Sequence, residues 1–251
     1  MPEFARFNPH LRVWLVVCIM MAGNIFFSNP AFAGYDEGVA AYKRKQYSLA
    51  FEEFLESAKQ GHIESQRVVA VLHLEGRVGV PKNPAAAAYW FTKAAEQGDA
   101  KSQHSIAHMY QNGTHTVRNT EKAIYWYLKA AKQDVIRSHA NLGSIYMDGN
   151  GVPKDFAEAA KWFLLPANSG MAKAQYNLGA IYAKPGFKRQ NLVKSYMWFS
   201  IAARSGLKLG INSREQLATK MTEGQIAEAK LIFQEWVANW RARQGLDATP
   251  K

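Results

Sequence analysis

Between residues 100 and 210 the apolar positions recur with a helical period. Ile106, Ala107 and Tyr110, then Leu142, Gly143 and Tyr146, then Leu178, Gly179 and Tyr182 each place an apolar stripe on one face of a helix. The central member of each stripe is small, which predicts a close approach by a neighbouring helix. Between these stripes runs a second set of segments. They are marked by Trp90, Trp126, Trp162 and Trp198, which stand 36 residues apart. A fixed period of this length is the mark of a repeat architecture.

Further columns share the period, and each has a physical reason. Asn83, Asn119, Asp155 and Asn191 lie seven residues before the tryptophans. There a side-chain oxygen can accept a bond from a free N–H of a helix's first turn, so second helices are predicted to start near 84, 120, 156 and 192. Pro84 suits a first helical position. Gly98, Asp134, Gly170 and Gly206 follow the pairs ending at Ala95, Ala131, Ala167 and Ala203. The glycines there end the second helix in the left-handed region. Gly149-Asn150-Gly151-Val152 supplies the turn inside a unit, and residues 76–80 are its longer counterpart. Helix, turn, helix is the predicted unit. Burying a tryptophan removes about 150–250 Å² from water, roughly 4–6 kcal/mol gross, so the four tryptophans are expected in the core.

The ends differ from the middle. Tyr42 and the stretch from Ala50 to Gly61 echo a second helix without its tryptophan, so residues 34–62 read as a degenerate first hairpin. Thr222 with Gln225 forms a capping box, and Ile226, Ala229, Leu231, Ile232, Trp236 and Trp240 define a longer closing helix. Such a helix is suited to covering the apolar end of a stack. The expected order is therefore a signal peptide over 1–33, the degenerate hairpin over 34–62, four repeats over 63–206, and capping helices with a short disordered tail over 207–251. No Gly/Ser linker separates these parts, and one cooperative unit is expected.

The N-terminal segment carries Arg6 and Arg12, an apolar run from Val13 to Gly23, and the small residues of Ala31-Phe32-Ala33. It reads as a secretory signal peptide cleaved before Gly34. The run is interrupted at Asn24 and Pro30, which argues against a permanent anchor, so no integral membrane segment is expected after cleavage. Val17 before Cys18 is too large for a lipoprotein site. Cys18 is the single cysteine and lies in the removed segment, leaving the mature chain without disulfides. Its formal charge changes from +11 to +10, since 29 basic residues then face 19 acidic ones. The lysines are scattered along helices. No basic run with interleaved aromatics points to nucleic acid.

The columns resemble the Sel-one-like repeat family, relatives of the tetratricopeptide repeats. The likeness runs over about 63–206 and is nearest in the third unit, from Ala140-Asn141-Leu142-Gly143 through Gly149–Asp155 to Trp162-Phe163. It implies an all-α fold: a right-handed α/α superhelical solenoid of tandem helix-turn-helix repeats. Two departures stand out. Pro166 replaces an alanine late in a second helix, where a kink is expected. The fourth turn reads Lys184-Pro185-Gly186-Phe187-Lys188-Arg189, basic and with an exposed-looking phenylalanine.

Some relatives staple each repeat with a disulfide and are linked to penicillin or peptidoglycan chemistry, but this chain lacks those cysteines. A cell-wall enzyme is accordingly the weakest reading. No serine elbow, phosphate loop or spaced carboxylate pair is present, so no enzyme and no cofactor is expected. His104 and His108 stand four apart, yet His-Ser-Ile-Ala-His lacks the glutamate of a metalloprotease helix, and no metal is expected. His73, His115 and His139 read as ordinary histidines.

In the related tetratricopeptide fold the first helices line a concave groove. The resemblance projects Lys101, His104, Ser105, His108 and Gln111 onto it, with Arg137, Asn141, Ser144 and Met147, and with Lys173, Tyr176, Asn177 and Ala180. The basic and amide pattern of Lys101, Arg137, Lys173, Asn141 and Asn177 loosely resembles one that holds a peptide carboxylate. The expected protein is a monomeric, non-catalytic scaffold or regulator of the bacterial periplasm that binds a protein or peptide there. A secreted, virulence-type binder of a host or surface receptor is the alternative.

Overall fold

The computed structural model describes residues 30–76, 79–114, 116–187 and 190–245. The signal-peptide reading of residues 1–33 therefore falls mostly outside the described residues, as do His115, Lys188, Arg189 and the tail beyond Gly245. Among the described residues there are twelve helices and no strands. They form two compact units, one ending at Lys82 and the other starting at Asn83.

The first unit contains α1 (Pro30–Lys43), α2 (Tyr47–Lys59) and α3 (Ile63–Glu75). Phe54 of α2 is 3% exposed and sits against Gly38 of α1, where an added Cβ would meet its ring at 2.7 Å. On α3, Gln66 Nε2 donates to the Ala58 carbonyl at 3.1 Å, and Ser65 Oγ donates to Ser57 Oγ at 2.8 Å. These bonds tie α3 to the end of α2.

The second unit holds α4 (Pro84–Glu96), α5 (Ala100–Asn112), α6 (Thr120–Ala131), α7 (Ile136–Asp148), α8 (Phe156–Asn168), α9 (Ala172–Ala183), α10 (Leu192–Arg204), α11 (Lys208–Ala218) and α12 (Glu223–Arg243). The second helices start where the cap column predicts. Asn83, Asn119, Asp155 and Asn191 accept from backbone N–H groups of the first turn with their side-chain oxygens. Three cap residues also close the turn behind them. The N–H groups of Asn119, Asp155 and Asn191 donate at 2.9 Å to the carbonyls of Tyr110, Tyr146 and Tyr182. Gly98, Gly170 and Gly206 have φ of 101°, 92° and 85°, and Asp134 adopts φ 58° at the same column. That is the left-handed region, costly for residues with a Cβ but tolerated by Asp.

The centre of the core is one residue beyond the tryptophans. Phe91, Tyr127, Phe163 and Phe199 are 2%, 0%, 1% and 4% exposed. Trp126 and Trp198 are buried, but Trp90 and Trp162 are only half-buried. Adjacent residues on a helix are turned by about 100°, so both columns cannot face the same neighbour. The ring that faces the first helix meets the small column: a Cβ on Gly143 would lie 2.8 Å from Phe163, and one on Gly179 would lie 2.5 Å from Phe199.

Buried glutamines join successive repeats. Gln103 Nε2 donates to the Ala95 carbonyl at 3.1 Å, and Gln175 Nε2 to the Ala167 carbonyl at 3.0 Å. Gln175 also accepts from Ser205 Oγ at 2.9 Å. At the corresponding position of the third repeat stands His139, whose ring lies 5.5 Å from that of Trp162.

Both departures are absorbed by the scaffold. Helix α8 continues through the buried Pro166 to Asn168. The Pro166 carbonyl accepts from Met171 N–H at 3.0 Å, as the Ala94 carbonyl does from Asp99 N–H. Phe187 is half-buried rather than exposed, packed with Tyr182 and Phe156 on the core of the third and fourth repeats. At the C-terminal end α12 starts with the Thr222–Gln225 capping box and lies along α10. Ala229 is fully buried, whereas Leu231, expected on the apolar face, is 61% exposed.

The Gly143→Ala substitution is expected to destabilise the protein by about 1–3 kcal/mol in chemical denaturation, because the methyl group overlaps the Phe163 ring. Removing the inter-repeat clamp with Gln175→Ala should cost about 1–3 kcal/mol in the same measurement, whereas Gln234→Ala on the exposed surface of α12 should leave the midpoint nearly unchanged.

Candidate functional site

The first helices α5, α7 and α9 present equivalent positions 36 residues apart, so one face repeats its chemistry. Lys101, Arg137 and Lys173 each occupy the second position of their helix, and all three are exposed. A basic group at each step gives that face a row of positive charge.

Deeper on the same face, a polar cluster bridges the second and third repeats. The buried Tyr127 hydroxyl donates to Gln111 Oε1 at 2.7 Å and accepts from Asn141 Nδ2 at 2.7 Å. His104 Nδ1 lies 2.9 Å from Ser138 Oγ, and its ring is 5.5 Å from that of Tyr127. Burial pushes the Tyr127 phenol well above its ordinary range, although the Asn141 bond favours the phenolate. His104 is pushed the other way, down to about 4, by burial first and then by the charges of His108 and Arg137. A neutral imidazole at ordinary pH is thus part of the cluster, and the basic row stands beside it.

The projected residues divide into groups with different freedom. Lys101, His108, Arg137 and Lys173 are exposed. His104 and Asn141 are half-buried and bonded within the cluster. The Ser144 and Ser105 hydroxyls donate to their own helices, at the Ala140 and Lys101 carbonyls. Asn177 is only 6% exposed, which removes it from the surface. Tyr176 turns its ring toward Phe199, 5.4 Å away, and packs on the apolar core of α10 to α12. Among the described residues no cluster of three or more His, Cys, Asp or Glu side chains could hold a metal.

Tyr127 is the member that sequence reading missed. Its signal lies in the column after the tryptophans, where Phe91, Phe163 and Phe199 are replaced once by a tyrosine. A hydroxyl at a buried position requires a partner, and Gln111 and Asn141 supply it. Also missed is a cleft of about 370 Å³ in the first unit, lined by Val39, Tyr42, Val68 and Val71 with Lys43 and Arg67.

The Sel1 repeat matches at residues 63–99, 100–135, 136–171 and 172–207, more than half of the chain. The chain belongs to the Sel1 repeat family. Its fold is an all-α solenoid of tandem helix-turn-helix repeats. It is similar, at 30% identity and a TM-score of 0.68, to a protective antigen of uropathogenic Escherichia coli displaying an SLR fold. That likeness covers 88% of this chain and 49% of the antigen, so the chain spans about half of the antigen's length. A Sel1 repeat protein from Oxalobacter formigenes is similar at 25% identity and a TM-score of 0.66, over 91% of this chain and 100% of the other. No curated protein matches. Sel1 repeat proteins generally mediate protein–protein interaction and are generally non-catalytic scaffolds. Among the described residues no helix is long and apolar enough to cross a membrane.

Because the folded state holds His104 neutral down to about pH 4 while the unfolded chain protonates it near 6.5, the unfolded state binds more protons in that window. Stability is therefore expected to fall as pH drops from 6.5 to 4. Thermal unfolding of His104→Gln should show a shallower fall over that window, and the His104 imidazole should titrate near 4 by NMR.

Proposed function

We propose that the protein is a non-catalytic scaffold or regulator of the bacterial periplasm, monomeric by itself, that binds a carboxylate-bearing peptide or protein segment on the face of α5, α7 and α9. The observation that carries this reading is the exposed row of Lys101, Arg137 and Lys173, one cation per repeat, beside a cluster whose internal bonds hold it in place. A segment lying across the first helices meets one cation at each repeat. His104, neutral and bonded to Ser138, shapes the floor without adding to the positive charge.

Asn141 serves this face by fixing Tyr127, and Ser144 and Asn177 belong to the scaffold more than to the contact surface. Export rests on the reading of residues 1–33. The likeness to a protective antigen favours a second reading, in which the same face binds a host or surface receptor outside the cell. Recovery from periplasm or from culture supernatant separates the two.

Crosslinking in the native cell envelope followed by mass spectrometry tests the binding face. The triple variant Lys101→Glu, Arg137→Glu and Lys173→Glu is expected to fold as the parent does, because all three side chains are exposed, and to lose the partners that bind the first-helix face. An identical partner list from the triple variant would sink this reading.

A further inference from the structure

The second helices have an outward side that is covered on α10, open on α8 and partly open on α6. On α10, Met197, Trp198 and Ile201 are 6%, 5% and 1% exposed; Ile232, Phe233 and Trp236 of α12 pack against the core cluster that contains them, with the Trp236 ring 6.0 Å from that of Trp198. One repeat earlier the same positions of α8 are Lys161, Trp162 and Leu165. Lys161 is exposed there, Leu164 is 40% exposed and Leu165 is 38% exposed. On α6 they are Tyr125, Trp126 and Lys129; Trp126 is 8% exposed, but Tyr125 beside it is 51% exposed. Between α10 and α8 the repeat therefore shows, within one molecule, this surface both with and without its cover.

That cover is a helix buried along one side, with Ile226, Ala229, Ile232, Phe233, Trp236 and Trp240 turned inward, and α12 reaches the margin of the open surface. Trp236 Nε1 donates at 3.2 Å to Asn168 Oδ1, one turn beyond Leu164 and Leu165 on the same side of α8. The open surface also carries charge where α10 has apolar side chains: Lys161 stands at the position of Met197 and Lys129 at that of Ile201, with Lys132 three residues beyond Lys129 and Glu158 paired to Lys161. Lys129 lies over the Tyr125 ring at 4.7 Å and the Trp126 ring at 5.1 Å, which holds the aromatics in place. An apolar strip edged by lysines suits a helix whose apolar stripe is edged by carboxylates.

We infer that the outward side of α6 and α8 is a second docking surface, and that its occupant is an acidic amphipathic helix of a partner protein. The partner's apolar residues lie on Leu164, Leu165 and Tyr125 as Ile232, Phe233 and Trp236 lie on α10. Its carboxylates meet Lys129, Lys132 and Lys161. This surface is formed by second helices and does not depend on the first-helix face.

The probe is a fluorescein-labelled peptide of residues 223–243 carrying Lys230→Glu, Arg241→Glu and Arg243→Glu, titrated with the full chain in fluorescence anisotropy. Saturable binding is expected. It should weaken about tenfold or more with Leu164→Asp/Leu165→Asp, equivalent to a loss of about 1.4 kcal/mol or more. A second variant, Lys129→Glu/Lys161→Glu, alters only exposed or half-exposed cations and should weaken the acidic probe while weakening the unmodified 223–243 peptide less. The Lys101, Arg137 and Lys173 triple variant should bind the probe as the parent does. Absence of saturable binding, or equal binding by the parent and both surface variants, overturns the inference. Loss confined to the triple variant would place the peptide on the first helices and overturn it as well.

Discussion

The structure depends on one contact made again in successive repeats: an aromatic ring of the second helix set against a first-helix position too small to obstruct it. Phe163 on Gly143 and Phe199 on Gly179 leave no room for a single methyl group, and Phe54 on Gly38 makes the same contact in the first unit. Close-packed interiors tolerate little change in volume, so this fit sets how near the two helices of a hairpin come. The tyrosine carbonyls that accept from the cap residues then fix where each turn closes.

Because each hairpin is held by its own ring and cap, the departures remain local. The fourth turn has another sequence, yet Asn191 still donates to Tyr182, and Phe187 folds back onto Tyr182 and Phe156. Pro166 lacks an N–H but keeps the carbonyl that receives Met171. Contacts in repeat proteins run mainly between neighbours, so a local substitution is answered locally. The glutamine clamps show the same economy: one buried amide per joint satisfies the end of the preceding helix, and His139 is where that device is replaced by an aromatic contact.

The polar cluster around Tyr127 uses the scaffold for a different end. Tyrosine at the ring column carries a hydroxyl into the interior, and Gln111 and Asn141 from two repeats satisfy it. Burial holds His104 neutral beside it. The exposed cations remain outside this cluster, so the face combines a fixed floor with a charged rim.

The amino-acid sequence by itself determined the period, the start of each second helix and the residues that end it, because caps and left-handed positions act over a few residues and leave a signature at each repetition. It also determined the family. Only the tertiary structure decided which side of the second helix is core, since the tryptophan and the ring after it are equally apolar and differ by one step of rotation. It likewise decided that Leu231 faces outward, that Phe187 is packed, and that Asn177 is buried while Lys101, Arg137 and Lys173 are exposed. Helical spacing places these residues on faces, but burial depends on what each face is packed against, and that neighbour lies tens of residues away in the chain.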